Sequence, residues 1–376
     1  MKSNGGPDRN SAPSASLTAL GTSPDPGAAD INLETAGPAY SFWLGATIVR
    51  GSITPRVIWD VLGFGLLALL TMIVCRVIES GFGINLDVSV GPFEAGGAVL
   101  GLLLVLRTNA GYDRWWEARK LWGGIVNQSR NLAIVALAYG PSDAAWRVKF
   151  LRWAAAFPHV IRRSLRGERQ LPEIVRLLGG DAAQAIAAAE HMPSFVGNQI
   201  ASQLRVALAA GMNDWAFVQA EKQRSQLIDQ LGGCERILRT PLARSTAIQV
   251  RRFILLFLAT LPFALTRDLR GDWGTLTLWG VEWDTSVLLV PLFIMLLAYP
   301  LLALDRIGME LQNPFDRRRI DHLPLDRICT MIEGNLMALL NEYSASDDRL
   351  LAPDPVEPPP DASITQSLHP FNTDIS

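Results

Sequence analysis

The sequence predicts an all-α membrane protein in which four transmembrane helices join a helical domain that sits in water. Three observations carry this expectation. The 376 residues are 49% apolar with a formal charge of −2 and a mean hydropathy of +0.19. That is too apolar for an average soluble domain and too charged for a chain wholly in lipid. Apolar runs suited to crossing a bilayer, which takes about 20 residues, occur at about 57–77, 92–110, 248–266 and 285–304. The intervening stretch 111–244 repeats its large apolar residues at helical spacing, as in Trp115, Trp116, Leu121, Trp122, Ile125 and Leu132, and again in Trp146, Phe150, Trp153 and Phe157. It shows no sustained alternation of the kind a strand needs.

Both ends differ in composition. Residues 1–39 are rich in Ser, Pro, Gly, Ala and Asp, and 344–376 in Asp and Pro. Neither offers enough apolar surface to offset its ordering entropy, so disordered tails are expected around a folded unit at 40–343. The first tail also lacks the apolar centre of a secretory signal, which places the start of the chain in the cytoplasm. An approach segment, Tyr40 to Arg56, carries Phe42, Trp43 and Ile48, with a plausible N-cap between Gly51 and Arg56.

In the first span Asp60 is expected to cap the helix or pair with Arg56. Glu79 to Gly91 then reads as an outside loop. The second helix starts at Pro92, where a missing N–H leaves no hydrogen bond unmade. No proline interrupts it, so one long helix is expected to cross the membrane and continue into water. Its apolar part, Ala95 to Leu106, is short for a span, which brings Glu94, Arg107, Thr108 and Asn109 to membrane depth. Polar groups there usually face protein or a water-filled cavity. Glu94, Ala98, Leu102 and Leu106 recur every four residues along one face and descend about 18 Å at 1.5 Å per residue. Spacing alone leaves two readings open: a pore wall with an acidic mouth and apolar throat, or close helix packing through Gly96, Gly97 and Gly101.

The cytoplasmic part, 111–244 and 305–343, is punctuated by Pro158, Gly167, Pro172, Gly179–Gly180 and Pro193 into several expected helices. The basic run Arg147, Lys149, Arg152, Arg162, Arg163, Arg166 and Arg169 reads as a solvated or headgroup-facing surface on the inner side. Asn213 to Arg239 reads as a further helix. In the third span Pro262 lies inside, and in the fourth Pro291 and Pro300 do. The outside loop between them carries Asp268, Asp272, Trp279 and Trp283. An even number of spans puts both termini on one side of the membrane, the cytoplasmic side given the Arg-rich middle domain.

Other function classes find no support. The three cysteines and four histidines match no metal-ligand spacing, so no metal and no cofactor is expected. There is no GxSxG, P-loop or Rossmann fingerprint. Near-neutral charge argues against nucleic acid as a partner. An enzymatic role for Asp113, Arg114 and Glu117 is less economical than ion-paired packing around Trp115, Trp116 and Trp122.

The run from Arg107 through Asn109, Gly111, Tyr112, Asp113, Arg114, Trp115 and Trp116 to Glu117, Ala118, Arg119, Lys120, Leu121, Trp122 and Gly123 closely resembles the signature of the bestrophin family, above all its bacterial members. Further matching stretches are Gly233-Cys234-Glu235-Arg236 with Thr240-Pro241, Leu304-Asp305, Leu311 to Phe315 around Pro314, and Leu323 to Cys329 with Pro324 and Asp326. The resemblance covers roughly residues 41–342. It implies a homopentameric ion channel whose second membrane helix lines one central pore, with membrane lipid and inorganic ions as partners. On that basis Ala98, Leu102 and Leu106 become the pore neck and Glu94 the outer mouth. A cytoplasmic aperture falls at Trp215 or Ala216, where bacterial relatives carry an aliphatic residue. A ring of Glu94 carboxylates raises local cation concentration, so cations are expected ahead of chloride or bicarbonate. In eukaryotic members a dense acidic cluster follows the Asn-Pro-Phe run. Here Asp316 is followed by Arg317, Arg318 and Arg319, so the resemblance implies no calcium clasp.

Overall fold

The computed structural model describes residues 51–84, 88–240, 244–269, 274–278, 281–284 and 286–351. The first tail, most of the approach segment, the last 25 residues and parts of the outside loops lie outside the described residues. Ten helices and one hairpin follow in order among those described: α1 Thr54–Phe82, α2 Gly91–Tyr139, α3 Ala144–Leu165, α4 Pro172–Leu178, α5 Gly180–Ala188, α6 Met192–Ala209, α7 Asp214–Arg239, α8 Arg244–Leu269, β1 Thr275–Leu278, β2 Val281–Asp284, α9 Ser286–Glu310 and α10 Leu325–Leu351.

Four of these, α1, α2, α8 and α9, are long and apolar enough to cross a membrane. In α1 the cap is Ile53, which offers no side-chain oxygen, and Pro55 sits in the first turn. The helix is thus started by proline's fixed φ and not by a polar cap. Arg56 turns away from Asp60 and donates to Glu310 Oε1 at 2.5 Å and to the Arg318 carbonyl at 3.1 Å.

α2 is one helix of 49 residues, about 74 Å long at 1.5 Å per residue. Its first part packs on α8 and α9, and its second on α7, α10 and α3. Two separate kinds of core result. Small apolar clusters bind the spans together, such as Leu100, Leu104, Val250, Ile254, Leu258 and Ala298. A single large cluster built from α2 to α7 and α10 fills the helical domain around Trp122, Phe150, Phe157 and Phe315. α2 and α7 approach closely. A Cβ at Gly124 would lie 2.6 Å from Gln230 Cδ, and one at Gly233 2.7 Å from Leu121 Cδ2.

Local differences from the sequence expectation have physical causes. Pro158 does not end a helix; it lies inside α3, flanked by the buried Phe157, His159 and Val160, and core burial outweighs the lost backbone bond. α10 continues past Tyr343 to Leu351, since the first helix-breaking proline after it is Pro353. The connection between α8 and α9 contains a two-stranded antiparallel hairpin, in which Leu278 pairs with Val281 and Thr275 with Asp284.

The pore-candidate helix and its anchorage

α2 presents two opposed faces along its whole length. Leu100, Leu104, Arg107, Gly111, Ala118, Trp122 and Ile125 are buried. At about 100° per residue these lie within a narrow sector. On the far side Glu94, Ala98, Leu102, Leu106, Asn109, Asp113, Trp116 and Lys120 are all exposed, within about 120° of one another by the same geometry. Leu102 is 60% and Leu106 57% exposed, so nothing in their own chain covers them. A face that met only lipid tails would not carry a carboxylate at one end and Asn109 and Asp113 at the other. The stripe therefore points to a surface that meets water or another copy.

The motif residues divide between these faces. Arg107 is 8% exposed and donates to Asp305 on α9, whose other oxygen receives Arg251 Nε from α8 at 3.0 Å. Thr108 Oγ1 donates back to the Leu104 carbonyl at 2.9 Å. Gly111 abuts Gly308, and a Cβ there would stand 3.2 Å from the Gly308 carbonyl oxygen. Arg114 ties α2 to the end of α7, donating to the Ile237 carbonyl and, at 2.6 Å, to that of Thr240. Trp115 Nε1 donates to the Asp321 carbonyl at 2.8 Å, and Glu117 pairs with Arg236. Trp122 is fully buried. Asn109, Tyr112, Trp116 and Arg119 point outward. Tyr112 stacks on Trp115 and Trp116, with centroids 6.1 and 6.5 Å away.

The later motif stretches serve as joints. Pro314 is buried and its carbonyl accepts from Leu323 N at 2.8 Å. Pro324 is exposed at the start of α10, and Asp326 in that first turn faces Arg162 Nη1 at 2.8 Å and Arg166 Nη2 at 3.0 Å. Of the two aperture positions, Trp215 is 72% exposed, whereas Ala216 is 6% exposed and packed in the helical core. The register is set by Asn213, whose side chain caps α7 through Trp215 N at 2.8 Å. Only Trp215 is presented.

The basic run is divided: Lys149, Arg152 and Arg169 are exposed, as a solvated surface requires, and the other arginines are drawn into the fold. Arg147 and Arg162 are 7% and 2% exposed. Arg162 and Arg163 both reach Glu173 Oε1 at 2.6 Å, Arg163 also pairs with Glu168, and Arg169 donates to the Ala187 and Ala189 carbonyls. Burial raises the Glu173 pKa, but the hydrogen bonds from Arg163 and Arg162 outweigh it and hold this carboxyl at about 2. Nearby, His159 Nε2 meets Glu333 Oε2 at 2.9 Å. Burial, with Arg162 beside it, pushes the imidazole pKa down despite Glu333. All three cysteines are buried, and burial lifts Cys234 and Cys329 to about 12, which leaves these thiols unreactive. In the arginine-rich segment Asp316 accepts from Arg318 N at 3.0 Å. The fully buried Glu310 is ringed by Arg56 at 2.5 Å, Arg306 at 3.2 Å and Arg319 at 3.7 Å. These carboxylates are already engaged by guanidinium groups.

Sequence reading located α2 and its stripe but missed Asp305 as the partner of Arg107, and Glu173 and Asp326 as the partners of Arg162, Arg163 and Arg166. The signal for Asp305 was its place in a matching motif; no spacing rule joins residues so far apart.

Comparison with known proteins agrees with this architecture. Residues 35–338 match the family model for the bacterial/fungal bestrophin protein. A voltage-dependent anion channel-forming protein of Ralstonia nicotianae is 28% identical over 302 residues, covering 80% of this chain and 92% of the relative. One of the same name from Mesorhizobium japonicum is 30% identical over 299 residues, covering 78% and 88%. The crystal structure of a bacterial bestrophin homologue from Klebsiella pneumoniae superposes with a TM-score of 0.66 at 25% identity, covering 76% of this chain and 98% of that one. The names of the relatives point to anions, against the cation preference that Glu94 suggested. With its family signature on a single long helix and the matched region spanning the membrane and helical layers alike, the chain belongs to the bestrophin family of membrane channel proteins.

Proposed function

We propose that this chain forms a homopentameric, passive ion channel in a bacterial inner membrane, with the exposed face of α2 lining one central pore and both termini in the cytoplasm. The observation that carries the reading is the unbroken exposed sector from Glu94 through Ala98, Leu102 and Leu106 to Asn109 and Asp113. Five such faces around an axis give an acidic outer mouth at Glu94, a neck of methyl and isobutyl groups, and a polar inner vestibule. A narrow apolar ring conducts only when wetted or widened, so Leu102 and Leu106 form the barrier. The exposed Trp215 at the start of α7 forms the second constriction.

Anions are the proposed permeant class, supported by the names of several relatives from different bacteria. The second reading is cation permeation, favoured by the exposed Glu94 carboxylate. Reconstitution into planar bilayers with a potassium chloride gradient separates them. Discrete current steps support a channel, and a reversal potential near that of chloride supports anions. One near that of potassium supports the second reading, and a membrane without steps rejects both.

A further inference from the structure

A cavity of about 340 Å³ opens between α1, α8 and α9 at their ends nearest the helical domain. Arg56, Asp60, Arg251 and Arg306 form its polar wall, and Phe64, Leu255 and Leu302 are among the apolar residues of the other. The same order repeats on all three helices. Arg56 in the first turn of α1 is followed two turns deeper by Phe64, Arg251 on α8 one turn deeper by Leu255, and Arg306, four residues before the end of α9, lies one turn from Leu302. The space is therefore amphiphilic along the membrane normal. α1 packs chiefly on α9 and α8, which puts this cavity away from the exposed face of α2.

Donors and an acceptor remain open there. Arg306 directs Nε toward Glu310, and its terminal nitrogens make no bond among the described residues. Its side chain is 36% exposed and that of Arg251 49%. Asp60 is exposed and pairs with nothing among the described residues. Glu310 is wholly covered by its arginines, so an incoming group meets guanidinium and not carboxylate at that wall. The guanidinium groups of Arg56, Arg251 and Arg306 line the cavity beside the carboxylates of Asp60 and Asp305.

We propose that this cavity binds an anionic phospholipid from the leaflet facing the helical domain, specifically one with a glycerol headgroup. The phosphodiester takes bonds from Arg306 and Arg251, which face the cavity with part-exposed guanidinium groups. The headgroup hydroxyls donate to Asp60, an acceptor that a choline headgroup, having no donor, leaves unsatisfied. The first methylenes of the acyl chains lie on Phe64, Leu255 and Leu302. The proposal depends only on α1, α8 and α9 spanning a membrane, and stands or falls separately from pore formation.

The test is native mass spectrometry of the full chain in detergent, with dioleoyl phosphatidylglycerol, dioleoyl phosphatidylcholine and glycerol phosphate as probes. Phosphatidylglycerol is expected to remain bound at one per protomer while phosphatidylcholine is lost. Arg306→Gln should weaken retention about fivefold, the effect of one basic residue at a membrane surface, and Arg205→Gln, at an exposed position of α6, should not. Leu255→Trp, which fills the apolar end without touching the arginines, should also displace the lipid. Equal retention of the two phospholipids, competition by glycerol phosphate at the same concentration, or unchanged binding to Arg306→Gln would each overturn the assignment.

Discussion

Arg107 on α2 is bound to Asp305 on α9, and the buried pair sits one residue beyond the last leucine of the exposed stripe. Asp305 is shared with Arg251 of α8 at 3.0 Å, so one carboxylate locks three spans. Because Arg107 points into the protein, Leu106 is turned about 100° around the helix toward the open side. Removing one member strands a buried charge. Asp305→Asn is expected to lower unfolding stability by about 3 kcal/mol, read as a lower Tm in detergent. Replacing both, Arg107→Met with Asp305→Leu, should recover most of that loss, since apolar pairs often substitute for buried ion pairs at little cost. A double variant no more stable than the single one would contradict this role.

The neck makes a conductance prediction. Leu102→Ala together with Leu106→Ala removes isobutyl groups from the exposed stripe and leaves the buried face intact. Unitary conductance or open probability should rise severalfold in bilayers. An unchanged current would place the barrier elsewhere, with Trp215 the next position to truncate.

Glu94 makes a selectivity prediction that holds for either ion class. Its carboxylate favours cations locally, so Glu94→Gln should raise the anion-to-cation permeability ratio and Glu94→Lys should raise it further. Both effects should be largest at low salt, where charge is least screened. A ratio indifferent to Glu94→Lys would remove this residue from the pathway.

The arginine cluster of α3 makes a pH prediction. Glu173 has its pKa held at about 2 in the fold against an ordinary value of 4.5. The stability it contributes is therefore fully present above pH 4.5 and is lost as pH falls toward 2. At most this is about 3 kcal/mol, taking 1.36 kcal/mol per unit. Thermal midpoints should fall steeply below pH 4.5, and Glu173→Gln should be less stable at pH 7 with a shallower acid limb. Equal acid limbs in the two proteins would show that Glu173 is not held by Arg162 and Arg163.

Legibility in the sequence followed the range of the interactions. α2 was readable because one uninterrupted helical pattern carries both its apolar half and its signature, and the other spans because hydropathy is a local property. Pro158 misled because a core that buries Phe157 and Val160 outweighs a local breaker. The run from Arg147 to Arg169 misled in part, because Glu173 and Asp326, the sinks for Arg162, Arg163 and Arg166, lie on other helices. Which of Trp215 and Ala216 faces outward depended on the cap at Asn213. A one-residue choice of that kind is set by helix phase and not by composition.

The most direct measurement of the pore assignment is thiol accessibility along α2. The native cysteines Cys75, Cys234 and Cys329 are all buried, so the background should be silent. A charged thiosulfonate reagent should alter the current through channels carrying Ala98→Cys, Leu102→Cys or Leu106→Cys, and leave Leu100→Cys and Leu104→Cys untouched. Modification that tracked the Leu100 and Leu104 face, or current changes at none of the five positions, would contradict a pore lined by the exposed face of α2.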